Sequence, residues 1–249
     1  KKHSANSKKQ FFASFKEDNF KQNSEAVFYD LPKLADVKDK KILLIGGGPS
    51  TIDNKWSSKG YDHILACNFF YRSSIEEVKS AKMSFTSVGD EVPILSREFL
   101  EYVKNSDTTF IFEDCNPTKR NMMTLNRFAN MFPNRCTFVH TRFKARMGTI
   151  PRLVIFMTTL GAKEIHVVGM DGPAPKDKLG QIKPHAFEGM KVLQGSMLDY
   201  DIYRRSYVSF WDYLLNDIGM CVRYQNLGEG HESNVSTDIS RKEFPLEVV

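Results

Sequence analysis

The chain has 249 residues, a formal net charge of +5 and 41% hydrophobic residues, which is enough for one large folded core and excludes a disordered composition. Its basic balance mildly favours anionic ligands, but many basic proteins bind no nucleic acid and we expect none as a partner here. No apolar run reaches the roughly 18 residues of a membrane helix and no signal peptide is recognisable, so we expect no transmembrane segment.

Cysteine usage indicates a reducing compartment. The four cysteines are far apart and form no Cys-x-x-Cys pair. Three of them, Cys67, Cys136 and Cys221, lie inside apolar runs. We therefore expect small buried hydrophobic side chains in a cytoplasmic protein.

The first 39 residues are polar and rich in lysine, unlike the rest of the chain. Phenylalanines at positions 11, 12, 15 and 20 recur with helical spacing, which predicts an amphipathic helix over 11–22 that packs on the main body. We therefore predict an N-terminal helical extension over 1–39 and a principal domain over 40–249.

Strand-like and helix-like runs alternate from residue 40 onward. Apolar runs predict strands at 41–46, 62–68, 83–88, 108–114, 135–140, 164–172 and 220–226. Helical patterns between them cover 73–81, 96–105, 118–132, 149–162 and 203–219. This alternation is typical of βαβ units and predicts a Rossmann-like α/β fold, an open, mostly parallel sheet with helices on both faces.

The first predicted strand ends in a glycine-rich turn, GGGPST. Ligands of such sheets bind beyond the carboxyl ends of the strands, and bare amides at a helix start bind phosphate. Candidate nucleotide-binding residues are Gly46, Gly47, Gly48, Pro49 and Ser50. A tight turn without a ligand is the alternative. NAD and FAD are disfavoured, because Thr51 replaces the third glycine of the dinucleotide fingerprint and the second strand ends in Asn68, not in an acidic residue.

Polar side chains follow three of the predicted strands. Asn68 can hold a sugar hydroxyl or a base edge, or it can cap its own turn. Asp90 can take a metal or a hydroxyl, or it can belong to an ordinary Gly-Asp turn. Asp171 follows a run that should be buried, and a buried carboxylate is costly unless it is paired or used. We therefore predict a functional role for Asp171.

Two later loops supply further candidates. His185 lies in a loop over 172–195, where an imidazole can act as an acid, a base or a phosphate donor, or can simply be solvated. Glu229 and His231 lie in a second loop, after the last strand, that is predicted to face the site. Arg146 belongs to the basic run TRFKARMG, which can neutralise a diphosphate or form a solvated loop. The sequence contains no zinc-ligand spacing, no G-x-S-x-G and no Walker lysine, so no metal site is predicted from these motifs.

These motifs occur in an order that resembles one superfamily. They are the glycine turn, ACNFFYR after the second strand, and the segment RMGTIPRLVIFMTTLGAKEIHVVGMDG. The superfamily contains the bacterial family 42 sialyltransferases, the motility-associated Maf glycosyltransferases and the archaeal MptE-like 6-hydroxymethylpterin diphosphokinases. The resemblance covers roughly residues 40 to 235.

The resemblance to the sialyltransferases implies several nucleotide contacts. Gly47 stands where their glycine loop has an asparagine that touches CMP, and Asn68 matches their second nucleotide-binding asparagine. Their helix start, with Arg, Ser and Gly, resembles Arg146, Gly148 and Thr149.

The loop after the aspartate resembles the Maf and MptE-like branches more closely. The sialyltransferases have two tyrosines there, which assist the leaving phosphate, but here Pro173 follows the aspartate and His185-Ala186 replaces a Tyr-Ala pair. The other branches have Gly-x-Asp followed by a loop with His-Ala, which Asp171 and His185-Ala186 fit. Asp90 resembles the acidic end of their third strand.

The resemblance implies two kinds of enzyme. The first is a glycosyltransferase that uses a nucleotide-activated sugar, such as a CMP-nonulosonate, in surface glycan or glycoprotein synthesis, with His185 at the departing phosphate. The second is a diphosphokinase that moves pyrophosphate from ATP to a small alcohol, with Mg²⁺ held by Asp90 and Asp171. A non-catalytic nucleotide-binding module is the third reading. The expected partners are a nucleotide or nucleotide-sugar and a glycan or small-molecule acceptor; a homo-oligomer or a longer chain is compatible with each reading.

Overall fold

A computed structural model of the chain describes residues 27–28, 31–52, 56–89, 91–113, 119–140, 143, 148–171, 186–187, 197–214 and 222–228. The strands are β1 (Val27–Phe28), β2 (Lys41–Ile45), β3 (His63–Cys67), β4 (Phe85–Ser87), β5 (Thr109–Phe112), β6 (Cys136–His140), β7 (Glu164–Val168) and β8 (Arg223–Asn226). They form one sheet in the order β1-β6-β5-β4-β3-β2-β7-β8. The pairs from β6 to β8 are all parallel, and β1 pairs antiparallel with β6. The predicted Rossmann-like fold, an open and mostly parallel α/β sheet, is confirmed.

Helices connect the parallel strands. They are α1 (Glu76–Ser80), α2 (Arg97–Asn105), α3 (Lys119–Met131), α4 (Thr149–Thr159) and α5 (Met197–Asp212). Shorter 3₁₀ turns cover Leu31–Val37, Pro49–Ile52 and Phe70–Arg72. Crossovers between parallel strands are right-handed, so α1 to α3 lie on one face of the sheet and α4 and α5, after the chain reverses direction, lie on the other.

Each face of the sheet has its own aromatic packing. On the first face, the Phe110 ring contacts Phe99 of α2 and Phe128 of α3, with ring centroids 5.6 and 5.4 Å apart. On the second face, Trp211 of α5 contacts Tyr224 of β8 at 5.0 Å. Helix α4 is apolar and buried almost throughout, as expected for a helix covered by protein on most sides.

The sheet reverses its strand order between β2 and β7. The chain moves outward from β2 to β6 and then returns to form β7 on the free side of β2. Ile45 at the end of β2 therefore pairs with Ala66 of β3 on one side and with Val168 of β7 on the other. Such a reversal opens a crevice beyond the carboxyl ends of the flanking strands, and it defines where a ligand is expected.

Several element boundaries differ from the predicted ones. The run over 164–172 is a strand only to Val168, because Gly169 has φ 73 and turns the chain away from the sheet. Helix α5 begins at Met197, six residues before the predicted start at 203. Helix α4 does end at a glycine as predicted, since Gly161 has φ 78.

The end of the predicted extension packs on the principal domain. Strand β1 joins the sheet edge through the pairs Val27–His140 and Phe28–Val139, and Leu34 and Val37 are fully buried. The predicted helix over 11–22 lies outside the described residues, and the domain boundary at residue 40 stays a prediction. In the part of the chain that the structure describes, no helix has the length and apolarity needed to span a bilayer.

Candidate functional site

The glycine loop, defined here as Gly46–Thr51, packs directly against the turn that follows β7. The Gly46 amide donates to the Val168 carbonyl at 2.8 Å, and the Gly48 amide donates to the Gly169 carbonyl at 3.0 Å. A Cβ added to Gly46 would lie 2.5 Å from the Gly169 carbonyl oxygen, and one added to Gly48 would lie 2.6 Å from it. The two glycines are therefore required by the close approach of the protein's own backbone.

Two other amides of the glycine loop also have partners within the protein. The Gly47 amide lies near the Cys67 thiol and lowers its pKa, and the Thr51 amide donates to the Gly48 carbonyl at 3.1 Å. The Ser50 amide donates to the Asp171 carboxylate, and Pro49 has no N–H to offer. In this geometry the loop leaves at most the Gly47 amide for a phosphate. A phosphate cradle of loop amides does not fit this hydrogen bonding; contact with a nucleotide through other atoms of the loop stays a prediction.

Asp171 is buried, with 4% of its surface exposed, and its carboxylate is bonded to Ser50. The Ser50 amide donates to Oδ2 at 2.8 Å and the Ser50 hydroxyl donates to Oδ1 at 2.5 Å. The same hydroxyl accepts a hydrogen bond from the Gly169 amide at 3.0 Å. The burial that made this carboxylate a candidate is thus compensated by charge-assisted hydrogen bonds to the glycine loop.

Asn68 joins three elements at the next strand end. Its backbone adopts φ 55, in the left-handed region that asparagine tolerates better than most residues, and its side chain is buried with 7% exposed. Its Oδ1 accepts from the Gly89 amide at 2.9 Å and from the Thr149 hydroxyl at 3.4 Å. Because the Gly89 amide is a donor, the oxygen must face it, and Nδ2 has no acceptor among the described residues.

The amino terminus of α4 lies beside Asn68. Gly148 is its N-cap and provides no side-chain cap, and the first turn contains no acidic residue. Among the described residues, no atom lies within 4 Å of a Cβ built at Gly148, and this residue is exposed. Uncapped amides and the positive end of the helix dipole favour an anion here.

A buried ion pair connects the beginning of α4 to the end of β5. Arg152 donates to Glu113, just beyond β5, at 3.1 Å, and to the Phe143 carbonyl at 3.0 Å. The side chains of Arg152 and Glu113 are 11% and 6% exposed. Sequence analysis missed this pair. The feature that could have indicated it is a carboxylate directly after a strand together with an arginine one turn into a later helix.

Part of the loop that contains His185 returns to the glycine loop. The Ala186 amide donates to the Gly47 carbonyl at 2.9 Å, and Phe187 is buried in the core. The site residues His185, Asp90, Arg146, Glu229 and His231 lie outside the described residues, and their roles stay predictions.

The beginning of the last predicted loop also reaches the site. Asn226 donates from Nδ2 to the Met170 carbonyl at 3.2 Å and accepts from the Gly228 amide at 2.9 Å. A Cβ on Gly228 would collide with the Ser50 hydroxyl, so this glycine also permits close packing. Sequence analysis did not single out Asn226 or Gly228.

The pKa of the Cys67 thiol is too high for this residue to act as a nucleophile. Burial, and to a lesser extent the charge of Glu91, raise the pKa of its thiol to about 12 against the opposing effect of the Gly47 amide. The thiol is therefore protonated at neutral pH and acts as packing, as predicted for this cysteine. No group of three or more His, Cys, Asp or Glu within the described residues is arranged to hold a metal ion.

A separate titratable cluster lies at the opposite, amino edge of the sheet. His166 contacts the Tyr61 hydroxyl through Nδ1 at 2.7 Å and Glu164 through Nε2 at 2.5 Å, and Lys41 pairs with Glu164 at 3.2 Å. Burial lowers the pKa of His166, although Glu164 opposes this, and burial raises the pKa of Tyr61 to about 12. Lys41 and Glu164 lie at the amino ends of β2 and β7, whereas the glycine loop follows the carboxyl end of β2.

No family model matches the chain, and no curated protein sequence does either. Solved structures with the same fold include the sialyltransferase CstII from Campylobacter jejuni in complex with the substrate analogue CMP-3FNeuAc, with TM-score 0.56, 14% identity, and coverage of 84% of this chain and 89% of that one. CstII with a trisaccharide acceptor and CMP has TM-score 0.52 and 16% identity, covering 84% and 88%. The monofunctional alpha-2,3-sialyltransferase Cst-I from the same organism has TM-score 0.50 and 14% identity, covering 79% and 81%. At these sequence identities, the comparison shows a shared fold and no more.

Proposed function

We propose that this chain is a glycosyltransferase that takes its sugar from a nucleotide-activated donor, with a CMP-activated nonulosonate as the donor class. The proposal is carried by one observation: Asn68, at the end of β3, bonds to Thr149 at the uncapped start of α4, beside the end of β2 where Gly47 bonds to Ala186 and the strand order reverses. It is supported by proteins of the same fold whose structures contain CMP or a CMP-sugar analogue.

Asn68 is the residue we assign to nucleotide recognition. Its oxygen is occupied by Gly89 and Thr149, whereas its Nδ2 has two N–H donors and no acceptor among the described residues. A base or ribose oxygen that excludes water from this buried group would satisfy those donors. A bound ligand that buries these two N–H donors without accepting from them would bind more weakly. Asn68 therefore favours ligands that place an oxygen at this position.

The start of α4 is assigned to an anionic group of the donor. The amides of Thr149 and Ile150 belong to the first turn, which no acidic side chain occupies, while Pro151 contributes no N–H. A donor phosphate or a sugar carboxylate gains from these amides and from the helix dipole. The resemblance implies that Arg146, two residues before the N-cap, adds a full positive charge.

His185 is assigned to the leaving group. It directly precedes Ala186, whose amide is bonded to the Gly47 carbonyl beside Asn68's strand end. In the transfer, the bond between the anomeric carbon and the phosphate oxygen breaks, and the acceptor oxygen bonds to the anomeric carbon. The phosphate oxygen keeps the electron pair of the broken bond and accepts a proton from the His185 imidazolium. The acceptor hydroxyl releases its proton to solvent. The acceptor class is a surface glycan or a glycoprotein.

A diphosphokinase would use Asp171 differently. It would need the carboxylate, together with Asp90, to coordinate Mg²⁺. Both Asp171 oxygens already accept hydrogen bonds from Ser50, which favours the glycosyltransferase over this alternative.

Titration calorimetry with CMP, CDP and ATP, each with and without Mg²⁺, tests the proposal. We expect CMP to bind without Mg²⁺ and to be released from a CMP-nonulosonate when an acceptor is added. Asn68→Ala should weaken CMP binding by about 5- to 150-fold, corresponding to roughly 1–3 kcal/mol for a lost buried hydrogen bond.

Asn105→Ala is the matched control, because Asn105 is exposed at the far end of α2. ATP binding that requires Mg²⁺, with no response to CMP, would instead support the diphosphokinase. If no nucleotide binds, the proposed function is wrong.

A further inference from the structure

We infer that Asp171 is a positioning residue that acts through Ser50, and that this pair sets the geometry of the glycine loop on which the proposed function rests. The contact between the Ser50 amide and hydroxyl, the Asp171 carboxylate and the Gly169 amide is called the Ser50–Asp171 clasp. It joins the loop after β2 to the turn after β7 across 121 residues of sequence.

The clasp uses every strong hydrogen-bonding atom that the two side chains offer toward each other. Each Asp171 oxygen accepts from a different Ser50 donor, one from the backbone and one from the hydroxyl. The hydroxyl completes its own bonding by accepting from Gly169. A carboxylate with 4% exposure that is engaged in this way is shielded from an acceptor sugar or a metal ion.

Glycines surround the clasp because there is no room for side chains. A Cβ on Gly48 would lie 2.5 Å from the Asp171 Oδ2, and a Cβ on Gly228 would collide with Ser50. Gly169 has φ 73, and a Cβ there would collide with the Thr51 hydroxyl. Three separate segments therefore converge on one hydrogen-bonded pair, which indicates a built feature and not a chance contact.

The clasp is connected to the proposed chemistry through Gly47. That residue lies between the clasped part of the loop and β2, and its carbonyl accepts the Ala186 amide at 2.9 Å. Releasing Ser50 frees the loop to shift, and the Ala186 contact shifts with it. Because Ala186 follows His185 in the sequence, we expect the clasp to influence the proposed proton donor. Its loss should therefore lower turnover more than nucleotide affinity.

Hydrogen exchange on the ligand-free chain tests the clasp without reference to any activity. We expect Ser50→Ala and Asp171→Asn each to raise exchange of the Gly48, Gly169 and Ala186 amides by about tenfold or more. The double variant should exchange no faster than either single one, because both break the same unit. Asp62→Asn is the matched control: Asp62 also accepts a backbone amide, that of Lys41 at 2.8 Å, but at the other edge of the sheet.

Additive effects, or native exchange rates in Asp171→Asn, would overturn the clasp. If Asp171→Asn fails to fold, Ser50→Ala decides alone, since unchanged exchange at Gly169 and Ala186 in that variant contradicts the inference. This arm gives a result even if the wild-type chain binds no nucleotide, so failure of the clasp and failure of the proposed function can be told apart.

Turnover of a CMP-nonulosonate supplies the second arm. Ser50→Ala, Asp171→Asn and their double variant should all lower kcat by about tenfold or more, with KM changed less than threefold and with an unchanged pH profile and no new Mg²⁺ response. A Ser50→Ala variant with wild-type kcat beside an inactive Asp171→Asn variant would show that Asp171 touches substrate directly, and would overturn the positioning role.

Discussion

Replacement of Gly48 by alanine tests why the loop after β2 is rich in glycine. The added Cβ would lie 2.5 Å from the Asp171 Oδ2 and 2.6 Å from the Gly169 carbonyl oxygen. Both distances are far inside van der Waals contact, and one of the two atoms is backbone. The loop must therefore move away from the turn after β7, whether or not a ligand binds.

The expected cost follows from two terms. Overpacking in a tightly packed region costs typically about 1–3 kcal/mol. The shift also disturbs the hydrogen bond between the Gly48 amide and the Gly169 carbonyl, for about 1 kcal/mol more. The sum is roughly 2–4 kcal/mol, which for a chain of this size corresponds to a fall in Tm of about 4–16 °C.

Urea unfolding and thermal scans measure this change, and Gly148→Ala is the matched control. A Cβ at Gly148 meets no atom of the described residues within 4 Å, and the backbone there has φ −63, which alanine can adopt. Because alanine is a poorer N-cap than glycine, we expect the control to lose up to about 1 kcal/mol, less than the loss at Gly48. If Gly48→Ala is equally stable, the close approach of the two turns is not what requires glycine, and the reasoning fails.

Two further predictions concern buried charges. Burial lowers the pKa of His166 below its ordinary value near 6.5, so the unfolded chain takes up the proton first on acidification. The stability that neutral His166 contributes is present above about pH 6.5 and is lost as the pH falls through the folded-state pKa. The stability difference between wild type and His166→Gln in urea should therefore shrink from pH 7 to pH 5, and a constant difference would contradict this. Arg152→Met removes a partner from the buried Glu113 carboxylate and should cost roughly 3–5 kcal/mol in urea unfolding. Adding Glu113→Gln should restore more than half of that loss; a double variant no more stable than Arg152→Met would show that the lost hydrogen bond to the Phe143 carbonyl dominates instead.

The sheet was predictable from the sequence because its signals are local. A parallel strand covered on both faces is mostly apolar, and β2 shows this pattern after its first residue without knowledge of its neighbours. Gly161 likewise ends α4 through its own backbone freedom. Boundaries were less predictable, and β7 ends at Val168 because a left-handed Gly169 turns the chain toward the glycine loop.

The residues at the carboxyl edge were recognisable from sequence, but their partners were not. Their residue types, directly after apolar runs, marked the glycine loop, Asn68 and Asp171 as unusual positions. The sequence could not show that Asp171 bonds Ser50, 121 residues away, or that most of the loop amides are used within the protein. Those contacts depend on β7 returning to pair with β2, which is a property of the whole sheet. A glycine that makes room for a ligand and a glycine that makes room for a neighbouring turn look the same in a sequence, because each is required only for its missing Cβ. The strand order, which places the turn after β7 against the glycine loop, shows that these glycines make room for the turn.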